Sequence, residues 1–80
     1  MSLFEELRAA IASTLDIPIE DVTETSAAGE LAAWDSLGQV NVMMTIEQNY
    51  GLMLDAEEIA NLNSVPLILE YLQSKGITAG

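Results

Sequence analysis

Leu3, Phe4, Leu7, Ile11 and Leu15 recur at three- and four-residue intervals, the spacing that gathers side chains on one face of an α-helix. Val42, Met43, Ile46 and Tyr50 repeat the pattern, as do Val65, Ile68, Leu69 and Leu72. Ile59 and Leu62 add a short fourth stretch. Each stripe needs a partner to cover it, and eighty residues leave room for one small core. The sequence therefore predicts an all-α fold, a small four-helix bundle. It has three longer helices plus one short helix before the last, with a long loop between helices I and II. Residues 1–80 are expected to make a single domain, with its structured core at about 2–75.

The punctuation agrees with the periodicity. Ser2 can cap helix I, with Glu5 completing a capping box, and Pro18 should stop it by restricting Ile17. Gly51 suits the end of helix II. Asp55 and Glu58 form a second capping box ahead of the short helix. Ser64 caps the last helix, Pro66 is tolerated in its first turn, and Lys75 and Gly76 suit its end. The tail from Ile77 to Gly80 is expected to fray. Residues 17–34 show no sustained period. They read as a loop pinned to the core by Ile19, Val22, Leu31 and Trp34, with a short helical turn expected at about 27–33.

Composition removes several functions. The chain has no cysteine and no histidine, which excludes disulfides, thiolate chemistry and ordinary zinc sites and removes the usual acid–base residue. No metal site is expected; the adjacent pairs Glu20-Asp21 and Glu57-Glu58 belong to no recognisable metal or acid–base arrangement. The net charge of −11, with Arg8 and Lys75 as the two bases, argues against nucleic acid and anionic membrane surfaces. It favours basic protein partners. No stretch is long and apolar enough to cross a bilayer, and the N-terminus reads as an acidic amphipathic helix rather than a leader, so a cytoplasmic monomer is expected.

Helix II is unusual in having apolar residues on two faces. At 100° per residue, Val42, Met43, Ile46 and Tyr50 cluster on one side. Leu37, Asn41, Met44 and Gln48 cluster nearly opposite, with Val40 at the margin. At the start of this helix stand Asp35 and Ser36. A serine there is ordinarily a cap. If Asp35 caps instead, the Ser36 hydroxyl is left free beside the unpaired N–H groups and positive end of the helix, where a phosphate is stabilised. No base lies near Ser36 in sequence to activate it, so modification by another enzyme is favoured over a nucleophile acting alone, and no catalytic residue is assigned.

With Asp35-Ser36-Leu37 at the start of helix II, followed by Val40, Val42, Ile46, Glu47, Tyr50, Leu54, Glu57, Glu58, Ile59, Leu62, Val65 and Leu72, the chain resembles the acyl and peptidyl carrier protein family over residues 2–75. The resemblance implies that a phosphopantetheinyl transferase moves 4′-phosphopantetheine from coenzyme A onto Ser36. Asp35 helps position magnesium and coenzyme A, the magnesium being needed only in that transferase complex. The thiol of the arm then carries cargo as a thioester, supplying the sulfur this chain lacks. It also implies docking of partners on Leu37, Val40 and Met44, with Glu47, Glu57 and Glu58 steering basic patches. The partners implied are the transferase, an acyl- or aminoacyl-loading ligase, and downstream synthase or transferase enzymes.

Carriers of fatty acid biosynthesis usually place acids at the positions of Gly38 and Asn41. Their absence, with Trp34 before the motif, is more similar to dedicated carriers of polyketide, nonribosomal peptide or other specialised pathways. Gly38 is also expected to loosen the first turn and leave open space beside the arm. A specialised acyl carrier is therefore expected. An aminoacyl or peptidyl carrier of the D-alanyl type is the near alternative, and an unmodified interaction module is the alternative from another class.

Overall fold

A computed structural model describes residues 2–78. Among them are four helices: α1 (Leu3–Leu15), α2 (Ser36–Tyr50), α3 (Ala56–Asn61) and α4 (Val65–Ser74). The all-helical bundle expected from the periodicity is thus the fold, with the short helix before the last and a twenty-residue-scale crossing between α1 and α2.

The core is assembled from the predicted stripes. Leu3, Leu7 and Ile11 from α1 meet Val42, Met43 and Ile46 from α2 and Val65, Ile68 and Leu72 from α4, all buried. Burying an aliphatic side chain of this size contributes about 1.5–3 kcal/mol. The α1–α2 seam also carries a polar tie, a 2.8 Å hydrogen bond shared by the hydroxyls of Thr14 and Thr45. Gly51 ends α2 with a positive φ of 64°, a conformation that costs glycine nothing.

The end of α1 differs from the expectation. It stops at Leu15 because Asp16 turns into the left-handed region (φ 56°), and the Asp16 N–H closes back on Ala12 and Ser13. Aspartate tolerates this conformation better than most residues, so the turn is made before Pro18 is reached. At the other end Ser2 accepts from the Glu5 N–H at 3.1 Å. Glu5 does not complete the box; its carboxylate faces Arg8 at 4.0 Å.

The crossing loop is held by hydrogen bonds more than by apolar pins. Arg8 Nε donates to the carbonyls of Ile19 (3.0 Å) and Val22 (2.8 Å), drawing the loop onto α1. The helical turn in the loop is a single 3₁₀ turn at Ile19–Asp21, not at 27–33. Residues 27–33 are instead bound laterally. The Ala28 N–H donates to Asn63 O and the Val65 N–H to Ser26 O, each at 2.8 Å, which fastens the loop to the α3–α4 junction. Val22 and Trp34 are fully buried and Leu31 is half-buried, but Ile19 is exposed. Its place as an anchor is taken by buried Ser26, whose hydroxyl accepts from the Thr23 N–H at 2.8 Å.

The end of the chain also departs from the sequence reading. Ile77 packs against the core, and its N–H donates to Leu72 O at 3.0 Å, so the tail is anchored at its first residue. Ala79 and Gly80, where the remaining fraying was expected, lie outside the described residues.

Candidate functional site

Three features converge where the loop delivers the chain into α2. The first is the cap. Asp35 is the N-cap, and its Oδ1 accepts from the Gly38 N–H at 2.8 Å. Its backbone carbonyl accepts from the Gln39 N–H at 2.8 Å, starting the helix. Because the aspartate caps, Ser36 is the first residue of α2 and is exposed, with no intramolecular partner among the described residues for its hydroxyl. The leading N–H groups of any helix lack helical acceptors and carry its positive end. Those of Ser36 and Leu37 have no hydrogen-bond acceptor among the described residues.

The second feature is the floor. Trp34 and Gln39 are both buried, and Trp34 Nε1 donates to Gln39 Oε1 at 2.7 Å. Gln39 Nε2 donates in turn to the carbonyls of Ile59 and Leu62, both at 2.8 Å. One side chain thus joins the loop, α2 and the C-terminal turn of α3. Trp34 pins the loop to the core, as expected from the sequence. The role of Gln39 was missed, although a signal was present. Gln39 precedes Val42, Met43 and Ile46 by three, four and seven residues, so it occupies the core stripe. A glutamine on a buried stripe must find partners for its amide.

Gly38 belongs to the same floor and corrects the sequence reading. A Cβ added there would lie 2.5 Å from Ala33 O and 3.0 Å from Leu15 Cδ2. The space is filled by loop backbone and α1, not left open beside Ser36. Glycine permits this close approach of loop to helix, and any side chain at this position would have to push the loop away.

The third feature is the surface on either side. An open groove of about 610 Å³ runs beside Ser36, between Val40 of α2 and Ala56, Ile59 and Ala60 of α3. The outward face of α2 bears Leu37 (69% exposed), Met44 (50%) and Val40 (42%), an apolar patch in a strongly acidic molecule. The acids named with that patch divide. Glu57 is exposed. Glu47 is half-buried, and its Oε2 accepts from the Leu54 N–H at 2.9 Å, holding the α2–α3 loop. Glu58 completes the reciprocal box with Asp55 (2.7 and 3.1 Å). It also faces Tyr71, whose hydroxyl is held above its ordinary pKa by burial first, then by a hydrogen bond with Glu58 and by the charges of Glu58 and Asp55. The carboxylates of Glu47 and Glu58 thus have intramolecular work that their sequence positions only half revealed. Met53, 93% exposed in the α2–α3 loop, was not singled out in the sequence.

No cluster of three or more metal-ligating side chains occurs among the described residues. No helix of theirs is long and apolar enough to cross a membrane.

Comparison with known proteins fits this arrangement. The family model described as "Phosphopantetheine attachment site" matches residues 5–72. The acyl carrier protein of Thermosynechococcus vestitus is 32% identical over 74 residues, covering 91% of this chain and 90% of that protein. The acyl carrier protein of Chlamydia muridarum is 29% identical over 75 residues, covering 94% and 97%. A third relative, polyketide-8 synthase acyl carrier protein 2 of Streptomyces avermitilis, is 31% identical over 71 residues, covering 89% and 82%. The chain belongs to the phosphopantetheine-binding carrier protein family. It is accordingly a carrier and not an enzyme, and its prosthetic group is covalently attached 4′-phosphopantetheine.

Proposed function

We propose that this protein is an acyl carrier of a specialised biosynthetic pathway, with its 4′-phosphopantetheine joined to Ser36 through a phosphodiester. The observation that carries the reading is the division of labour at the start of α2: Asp35 makes the capping bond, and the neighbouring hydroxyl is left exposed and unbonded. When bound, the prosthetic group supplies a thiol that holds an acyl group as a thioester. The chain's own residues do the rest. The helix start favours a phosphate on Ser36 through its unpaired N–H groups and its positive end. Asp35 keeps one carboxylate oxygen beyond its capping bond to help place magnesium and coenzyme A during attachment by a separate transferase. Trp34, Gly38 and Gln39 fix the backbone from which the hydroxyl projects.

Leu37, Val40 and Met44 form the docking patch for the transferase, for an acyl-loading ligase and for downstream synthase or transferase enzymes. Apolar contact supplies adhesion, and charge brings basic partner surfaces to it. Glu57 is the steering acid with a free carboxylate; Glu47 and Glu58 act mainly by holding the surrounding backbone. Gly38 and Asn41 leave this end of α2 without acidic side chains, which supports dedicated partners over those of general fatty acid synthesis. The polyketide synthase relative supports the same direction. A cytoplasmic location follows from this work with coenzyme A and separate enzymes.

The test is intact-mass analysis after incubation with coenzyme A, magnesium and a phosphopantetheinyl transferase. The wild-type protein is expected to gain the mass of one phosphopantetheine, and Ser36→Ala is expected to gain none while keeping its helical content. An unmodified wild type, or a modified Ser36→Ala, removes the reading.

A further inference from the structure

On the reading that Ser36 carries the arm, we infer that Gln39 is a clasp that keeps α3 closed on α2, so that the tethered acyl group lies in the outer groove and does not enter the helix core. Gln39 is a positioning residue here, acting through α3.

Three observations lead to this. Helix α3 has only six residues, far below the roughly 12–15 at which an isolated helix becomes even marginal in water, so outside contacts hold it in place. The last carbonyls of a helix lack helical partners. Gln39 reaches across from α2 to bind two carbonyls at this end, Ile59 O and Leu62 O. The amide oxygen is itself fixed by the Trp34 indole, so the clasp is locked from the loop side. Moving α3 away from α2 to admit a chain would leave the Gln39 Nε2 donors and two carbonyls in apolar surroundings without partners, an arrangement proteins avoid.

The surfaces on the two sides of the clasp differ in the corresponding way. Behind it, Met43, Ile46 and Ile68 are closed to solvent. In front of it, the groove beside Ser36 offers Val40, Ile59 and Ala60 as an apolar resting place already open to the outside. A tethered chain can cover that surface without breaking a hydrogen bond.

The experiment uses the protein after mass analysis has verified one arm on Ser36, loaded with either a butanoyl or a decanoyl group. The readouts are the rate at which hydroxylamine cleaves each thioester and the backbone amide shifts caused by loading. In the wild type the two rates are expected to agree, with decanoyl-induced shifts at Val40 and Ala60 and none at Ile46 or Ile68. Gln39→Met keeps the shape but removes all three amide hydrogen bonds, and in this variant the decanoyl thioester is expected to be cleaved about tenfold more slowly than the butanoyl one as the longer chain gains shelter between the helices. Gln39→Glu keeps the acceptor for Trp34 and replaces the NH2 that holds the two α3 carbonyls with a second acceptor oxygen. It is expected to shift in the same direction, and it serves if Gln39→Met does not fold. A wild type that shelters decanoyl, or shifts at Ile46 and Ile68, overturns the inference. So do folded Gln39 variants as indifferent to chain length as the wild type. Failure to attach the arm at all is seen in the mass beforehand and counts against Ser36, not against the clasp.

Discussion

Of the three helix starts that carry a serine, those of α4 and α2 use it in opposite ways. At α4, Ser64 is itself the cap, and its hydroxyl accepts from the Leu67 N–H at 3.3 Å. At α2, Asp35 is the cap, and Ser36, one residue later, has an exposed hydroxyl with nothing to do inside the fold. The same residue type at nearly the same local position is structural in one case and available for chemistry in the other. A shift of one position along the chain makes the difference, because only the cap residue's side chain points back at the open N–H groups. An acid immediately before a serine at a helix start is thus a physical device for freeing a hydroxyl.

The comparison can be broken most severely by exchanging the two serines in turn for alanine. Ser36→Ala is expected to abolish phosphopantetheinylation entirely while changing stability by no more than about 0.5 kcal/mol, as for an exposed site with no partners. Ser64→Ala is expected to do the reverse: labelling persists and urea denaturation shows a loss of about 1 kcal/mol. If both variants lose stability alike, the two serines are doing the same job.

Smaller effects sharpen it. Gly38→Ala should lower stability by roughly 1–3 kcal/mol through the clash with Ala33 O, although alanine is the better helix former by about 1 kcal/mol. A gain in melting temperature for Gly38→Ala would mean that the loop yields easily and the floor is soft. Asp35→Ala should lose about 0.5–2 kcal/mol for the missing cap, whereas Asp35→Asn should keep most of it. Impaired labelling in Asp35→Asn with intact stability then separates the carboxylate's charge from its capping bond. Smallest on stability are Leu37→Ala and Met44→Ala, expected within about 0.5 kcal/mol of wild type while weakening transferase binding. Unchanged transferase kinetics in both would remove the outer face of α2 from the docking surface.

Much of this was legible from local signals. The apolar stripes, the caps Asp35, Asp55 and Ser64, and the glycine end of α2 depend on residues within about one turn of each other, so the chain displays them directly. The two-faced character of α2 was visible for the same reason. The remainder lay in contacts between distant residues. Arg8 binds carbonyls eleven and fourteen positions away, Gln39 binds carbonyls twenty and twenty-three positions away, and Ser26 O is paired with the Val65 N–H. Backbone acceptors have no sequence signature, so the partners of Arg8 and Gln39 could not be named in advance. Gly38 shows the converse. Its lack of a side chain was obvious, but whether that meant open space or a close approach depended on where Ala33 lies.

The central claim concerns one hydroxyl among six serines. Peptide mapping by tandem mass spectrometry, on protein treated with coenzyme A, magnesium and a transferase, locates the attached group to a single residue. The phosphopantetheine should be found on the peptide containing Asp35-Ser36-Leu37, on Ser36 itself; its discovery on any other serine, or on none, would contradict the account.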